Sequence, residues 1–240
     1  SFLAQGGICM LRGEEDFRSY FDDTMRAGHY ENDEAAVEQM IRLSPAMIAE
    51  LVADGVEFAR DGQGNFRFTR EGGHSRPRIL FHDDITGKEI TSKLLALVRT
   101  LPNAEIREHT ELIDIIAEGN ECFGGVVRAE DGKLADVYAD FTLLATGGVG
   151  GLFENSTNFR HLTGDSLAIA LINGVEVEHL DYVQIHPTTF YSEKQGRRFL
   201  ISESVRGEGA VLLDKNGNRF CNELMPRDVV TGEIRQQMQK

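Results

Sequence analysis

The chain has 240 residues, with 25 Lys and Arg against 39 Asp and Glu and a formal net charge of −14. That balance disfavours nucleic acid as a partner, because a phosphate backbone calls for clustered, unpaired cations. At 41% hydrophobic and 27% charged residues, the composition excludes a disordered or collagen-like chain and allows one large domain, or one domain and part of another.

No apolar run approaches the roughly 18 residues of a membrane-spanning helix. The opening Ser1-Phe2-Leu3-Ala4-Gln5-Gly6-Gly7 lacks the layout of a signal peptide. No membrane partner and a cytoplasmic location are expected. Cys9, Cys122 and Cys221 are odd in number and far apart, which fits neither a disulfide framework nor a zinc site, and no metal is expected. The chain opens without Met inside a Gly-Gly loop and closes on a polar helical stretch, residues 229–240, with no stop signal. Both ends read as cut.

In chain order, Phe17, Tyr20, Phe21, Thr24 and Met25 recur at helical spacing over residues 14–27, with Gly28 as the stop. Asn32 is placed to cap a second helix that runs to Gly55 on Ala36, Val37, Met40, Ile41, Ile48, Leu51 and Val52, with Pro45 expected to interrupt or kink it. Residues 56–60 and 65–69 flank Asp61-Gly62-Gln63-Gly64 as a hairpin. A polar loop over 70–86 leads to a helix on Ile90, Leu94, Leu95, Leu97 and Val98, ended at Pro102.

Three strands, 110–117, 122–129 and 135–145, joined by polar turns, read as an antiparallel meander. The end of the third, Phe141-Thr142-Leu143-Leu144-Ala145, is apolar enough to be buried on both faces, and it runs straight into a glycine cluster. A helix over 166–172 follows, and beyond it the chain becomes irregular, which places a domain boundary near residues 179–181.

Glycine pairs at 6–7, 72–73, 124–125, 147–148 and 150–151 allow turns or close backbone approach to a ligand. The dinucleotide fingerprint G-x-G-x-x-G is absent, so a self-sufficient dinucleotide site is not expected, and the chain alone should hold such a cofactor weakly or not at all. Within the acidic chain, Arg70, His74, Arg76, Arg78, His82, His186, Arg197, Arg198, Arg206 and Arg227 crowd a few loops. Arg offers a carboxylate a bidentate fork and His a switchable donor, so a small dicarboxylate is a suitable target, and solvated loop charges are the plainer alternative.

Eight motifs occur in order along the chain: Ala4-Gln5-Gly6-Gly7-Ile8, Thr69-Arg70-Glu71-Gly72-Gly73-His74-Ser75, Arg78-Ile79-Leu80, Ala145-Thr146-Gly147-Gly148, Thr163-Gly164-Asp165, His186-Pro187-Thr188, Ser202-Glu203 with Arg206-Gly207-Glu208-Gly209-Ala210, and Pro226-Arg227-Asp228. Together they resemble the succinate dehydrogenase/fumarate reductase flavoprotein family and, within it, the L-aspartate oxidase family. The resemblance implies an α/β fold: the central part of a glutathione-reductase-like FAD-binding domain with an antiparallel meander over residues 1–180, then part of an α+β capping domain over 181–240. FAD is the implied cofactor. Its implied contacts are Ser1, Phe2, Leu3, Ala4, Gln5, Gly6 and Gly7, then Glu111 and Leu112, then Ala145, Thr146, Gly147 and Gly148, and Asp165.

The resemblance also implies that His186, Ser202, Glu203 and Arg227 bind the substrate, with Arg227 a carboxylate clamp that gives or takes a proton and Glu71 the partner of the substrate's amino group. Oxidation of L-aspartate to iminoaspartate moves a hydride from Cα to the flavin, which requires both carboxylates to be pinned. A guanidinium is an awkward base and a more defensible acid. Implied partners are L-aspartate and fumarate, oxygen or fumarate as electron acceptor, and the next enzyme of quinolinate synthesis, all within NAD biosynthesis. Two alternatives stand beside this reading: a fumarate reductase or succinate dehydrogenase-type subunit, and a folded but catalytically silent piece.

Overall fold

The computed structural model describes residues 2–194 and 196–240. In chain order the elements are β1 (Ile8–Cys9), α1 (Glu14–Ala27), α2 (Glu34–Ala53), β2 (Ile79–Leu80), α3 (Thr86–Val98), β3 (Glu111–Glu118), β4 (Glu121–Arg128), β5 (Leu134–Tyr138), a 3-10 turn (Gly150–Leu152), α4 (Asp165–Ile172), α5 (Glu203–Gly207) and α6 (Arg227–Met238). The mixed α/β class with an antiparallel meander is as the sequence implies. Two compact units divide the described residues: a first within Ser1–Ala104, Gln184–Thr189 and Leu200–Lys240, and a second within Glu105–Val183 and Phe190–Phe199.

In the first unit, α1 and α2 pack through Tyr20, Met25, Val37 and Ile41, flanked by Cys9, Leu11, Phe17 and Phe21. A neighbouring cluster joins Ile48, Val56, Phe58 and Leu80. Between them β1 and β2 pair antiparallel, Ile8 opposite Leu80 and Cys9 opposite Ile79. The buried face of α1 is not the apolar stripe expected from its spacing. Asp16 and Asp23 are buried on it beside Tyr20 and Met25.

Both acids meet Arg78, the residue just before β2, which is fully buried. Its guanidinium lies 2.9 Å from Asp16 Oδ1 and 2.7 Å from Asp23 Oδ2, donates to Ser19 Oγ at 2.9 Å, and sits over the Tyr20 ring. Burial opposes the charged form of both carboxyls. The Arg78 and Ser19 hydrogen bonds outweigh it at Asp16, and those from Ser75 and Arg78 do so at Asp23, so both titrate below their ordinary 3.8.

Helix α2 is capped by Asp33, whose carboxylate accepts from Ala36 N–H at 2.8 Å, rather than by Asn32. It runs unbroken through Pro45. Proline cannot donate to the carbonyl four residues back, and Ser44 repairs the loss: its hydroxyl donates to Ile41 O at 2.7 Å and accepts from Leu11 N–H at 2.9 Å. The expected hairpin at 56–69 shrinks to a single bridge between Arg60 and Phe66, because Ala59 N–H turns to Phe81 O instead.

In the second unit, β3, β4 and β5 form the meander in that order, with irregular register between Leu112 and Asp114 and between Ile116 and Ala117. Helix α4 joins β3 where Asn173 Nδ2 donates to Asp114 Oδ1 at 2.7 Å. The expectation of a third strand reaching Ala145 is corrected. Strand β5 ends at Tyr138, and Phe141 and Leu143 are 94% and 90% exposed. A strand buried on both faces needs hydrogen-bonded neighbours and covering layers, and residues 141–145 lie in no strand.

Replacing Arg78 by Met is expected to cost about 3–5 kcal/mol in urea unfolding, since it strands two buried carboxylates. Replacing Ser44 by Ala, which orphans one donor and one acceptor, should cost about 1–3 kcal/mol in the same assay. Because the folded pKa values of Asp16 and Asp23 lie below 3.8, the stability they supply is complete above the unfolded value and is lost as pH falls through the folded ones. Acid unfolding followed by circular dichroism should therefore begin below about pH 4, with a shallower slope in Asp23→Asn.

Candidate functional site

The first unit gathers five of the sequence-predicted site residues. Glu71 stands on the loop between Thr69 and Ile79, whose ends are tied by reciprocal backbone bonds of 3.0 and 3.1 Å. Its Oε1 accepts from Gly7 N–H at 3.1 Å. Gly7 can reach it because it crosses β2 at close range: a Cβ there would lie 2.0 Å from Leu80 O. Burial pushes the Glu71 carboxyl above its ordinary 4.5; the Gly7 N–H and Arg227 pull the other way, while Glu203 and Asp84 add to the rise.

Glu203 begins α5, a short helix capped by Ser202, whose hydroxyl oxygen accepts from Ser204 N–H at 3.3 Å. Ser202 and Glu203 are both buried. Glu203 Oε2 lies 2.7 Å from Arg227 Nε and 2.6 Å from Arg227 Nη2, while Arg227 Nη1 donates to Gln184 Oε1 at 2.6 Å. Glu203 also approaches the Glu71 loop: a Cβ on Gly72 would lie 2.4 Å from its Oε1. Arg227 opens α6, and with five N–H donors it keeps some for another carboxylate after these contacts.

His186 places Nδ1 3.0 Å from Thr188 O and 3.2 Å from Thr188 N. Its Nε2 is buried and has no hydrogen-bond partner among the described residues. Burial first, then the charges of Arg227 and Arg206, push the imidazole down to about 4, so it is neutral at physiological pH. Arg206, buried in α5, donates through Nη1 to Glu223 O at 2.9 Å, whereas its Nε and Nη2 make no hydrogen bond among the described residues. Its nearest acid is Glu203 at 3.8 Å.

Buried polar groups left without partners are costly, and a carboxylate ligand is the acceptor that suits a guanidinium edge and, in the tautomer with the proton on Nε2, the His186 imidazole. Sequence reasoning counted Arg206 among the basic loops but gave it no role. It missed the Asp16–Arg78–Asp23 group, whose signal is the spacing of two acids seven residues apart on one face of α1.

The predicted cofactor contacts fall in both units. Ser1 lies outside the described residues. In the first unit, Phe2 is exposed, Ala4 O accepts from Gly87 N–H at 2.9 Å, and Gln5 Oε1 is buried without a hydrogen bond among the described residues. An acceptor in that state suits a group that brings its own donor. In the second unit, Glu111 and Leu112 begin β3, and Ala145, Thr146, Gly147 and Gly148 form an exposed stretch in which Thr146 Oγ1 contacts Ser166 Oγ. Asp165 starts α4 and accepts from Thr163 Oγ1 at 2.8 Å. Bare backbone and small residues suit a cofactor that must approach closely, so the residues present fit FAD. Among the described residues no group of His, Cys, Asp and Glu could hold a metal, and no helix is long and apolar enough to cross a membrane.

The chain is 48% identical to the L-aspartate oxidase of Clostridium perfringens, an alignment covering 100% of this chain and 54% of that protein. It is 42% identical to the L-aspartate oxidase of Clostridium acetobutylicum, covering 100% and 55%. The chain thus spans about half the length of these curated relatives. Among solved structures it resembles a mutant of E. coli quinol fumarate reductase FrdA, with TM-score 0.92 and 26% identity over 99% of this chain and 43% of that one. It also resembles Mycobacterium smegmatis Sdh1 in complex with UQ1, with TM-score 0.76 and 28% identity over 99% and 43%. The family model described as FAD binding domain matches residues 1–240, and the chain belongs to that FAD-binding family.

Proposed function

We propose that this chain carries part of the active site of an L-aspartate oxidase, which converts L-aspartate to iminoaspartate. The observation behind the reading is the gathering, in one unit, of buried nitrogens on His186 and Arg206 without hydrogen-bond partners among the described residues with a half-buried carboxylate, Glu71, whose charge is only partly answered. The donors suit a dicarboxylate, and the spare carboxylate suits an ammonium group. L-Aspartate has all three charges. The likeness to L-aspartate oxidases supports the same choice.

In this reading the neutral His186 ring accepts Thr188 N–H at Nδ1 and donates its Nε2 proton to a substrate carboxylate. Ser202 and Arg206 serve the carboxylates beside it. Arg227, braced by Glu203 and Gln184, clamps a carboxylate with its remaining N–H groups. Pinning both ends fixes Cα and forgoes the entropy of a free substrate. The oxidation removes one hydride from Cα and one proton from nitrogen, leaving a C=N bond. Glu71 is placed to take that proton, its raised pKa making it a better acceptor than an ordinary carboxylate.

FAD, when bound, supplies the two-electron acceptor. The residues that the resemblance names for it are Phe2 to Gly7 in the first unit and Glu111, Leu112, Ala145 to Gly148 and Asp165 in the second. Residues 1–180 would then belong to the flavin domain and 181–240 to a capping domain that excludes water. A cytoplasmic setting in NAD biosynthesis, with the next enzyme of quinolinate synthesis as partner, completes the reading.

Glu71→Gln in the intact, FAD-loaded enzyme is expected to raise the KM for L-aspartate by about tenfold to a hundredfold, the worth of one charge-assisted contact. Inhibition by succinate, which lacks the amino group, should hardly change. Equal losses for both ligands would favour a fumarate reductase or succinate dehydrogenase-type site instead. Glu71 protonates at higher pH than an ordinary carboxyl, so aspartate binding should weaken as pH falls through that raised value. Succinate binding followed over the same range should lack that limb, as should aspartate binding to Glu71→Gln.

A further inference from the structure

The Glu71 loop is held by more than its own ends. Ser75 donates both its backbone N–H and its hydroxyl to Asp23 Oδ2, each at 2.7 Å, and Gly73 N–H donates to Leu224 O at 3.1 Å. Arg12 Nη1 donates to Pro77 O at 3.1 Å. The same Asp23 oxygen receives Arg78 Nη1 at 2.7 Å, and Arg78 spends its other edge on Asp16.

Arg78 Nη1 also lies 3.1 Å from His74 Nδ1. Because a guanidinium only donates, Nδ1 must accept, which puts the ring proton of neutral His74 on Nε2. That nitrogen faces Cys9 Sγ at 3.6 Å, in the strand that follows Gly7. Burial and the Arg78 charge both lower the His74 pKa, in keeping with a neutral ring. Two lines of polar contact thus leave the buried acids of α1. One passes through Ser75 to the Glu71 loop, and the other through Arg78, His74 and Cys9 to the strand whose preceding glycine binds Glu71.

We propose that Asp23, Arg78 and Ser75 are positioning residues that aim the Glu71 carboxylate at the substrate's ammonium group, so that selectivity for an amino-bearing dicarboxylate over a plain one is set from α1. The inference rests on the assignment of Glu71 made above. None of the three is expected to touch substrate.

The test compares Ser75→Ala, Asp23→Asn and Arg78→Lys with the parent, each in the intact, FAD-loaded enzyme, measuring KM and kcat for L-aspartate and the inhibition constant of succinate. Ser75→Ala removes a single hydroxyl at the surface end of the network and is the variant that keeps the test valid if the other two fold poorly. It should lower kcat/KM for L-aspartate roughly threefold to tenfold while succinate inhibition stays within about twofold. Arg78→Lys, which keeps the charge but not the fork, should shift the aspartate-to-succinate ratio further in the same direction. An unchanged aspartate kcat/KM in Ser75→Ala, or equal weakening of aspartate and succinate, would overturn the proposal. Glu71→Gln measured in parallel distinguishes the two failures. If it too leaves the ratio unmoved, the assignment of Glu71 falls and this inference with it; if it moves the ratio and Ser75→Ala does not, only the positioning role is lost.

Discussion

A guanidinium withdrawn from water between two carboxylates is the constraint on which the first unit is built. Arg78 has no exposed surface, and a lone buried cation would cost several kcal/mol. It is tolerated because every face of the group is occupied: Asp16 and Asp23 on two edges, Ser19 between them, and Tyr20 beneath. Such a group contributes less to net stability than an apolar core of equal volume would. What it adds is geometry, since each hydrogen bond admits a narrow range of directions. Helix α1, strand β2 and the Glu71 loop are thereby fixed to one another.

The site shows the complementary situation. There, buried nitrogens on His186 and Arg206 have no hydrogen-bond partner among the described residues, and burial, with the charge of Glu203 adding to it, raises the Glu71 pKa. The Arg78 group is satisfied within itself and the candidate site is not. A satisfied network is rigid, whereas an unsatisfied one has free energy to release when a ligand of matching charge arrives. The first is tied to the second through Ser75 and His74 on the Glu71 loop.

Helices were legible where period and breakers agreed: α1 ends at the Gly28 stop, and α2 reads through its apolar stripe. The antiparallel meander followed from alternating strands and polar turns. The larger misread features turn on contacts, or on missing neighbours, that local pattern does not show. Pro45 leaves α2 unbroken through a serine hydroxyl that also binds Leu11, a residue 33 positions away. Residues 56–69 fail to form a full hairpin because Phe81 takes a backbone donor. Residues 141–145 carry the composition of a buried strand, but composition cannot say whether neighbours are present to bury it. In the site, motif resemblance marked Glu71, His186, Ser202, Glu203 and Arg227, all of which the first unit contains. The acids behind Glu71 escaped because Asp16 and Asp23 look like the solvated face of an amphipathic helix until the buried arginine is seen between them.

Gly7 shows how backbone and electrostatics meet. Its missing Cβ lets the chain cross Leu80 O at a distance no other residue allows. In the antiparallel register that pairs Ile8 with Leu80 and Cys9 with Ile79, inward-pointing and outward-pointing backbone donors alternate, so the N–H of Gly7, just ahead of β1, faces away from β2 and goes to Glu71. A neutral N–H answers only part of a buried carboxylate's charge, so Glu71 is held in place while its pKa stays raised. A lysine or arginine in the same position would have neutralised the carboxylate and closed the site to an ammonium ligand. A glycine N–H fixes the acid's direction and leaves most of its charge available, which is what recognition of an amino group requires.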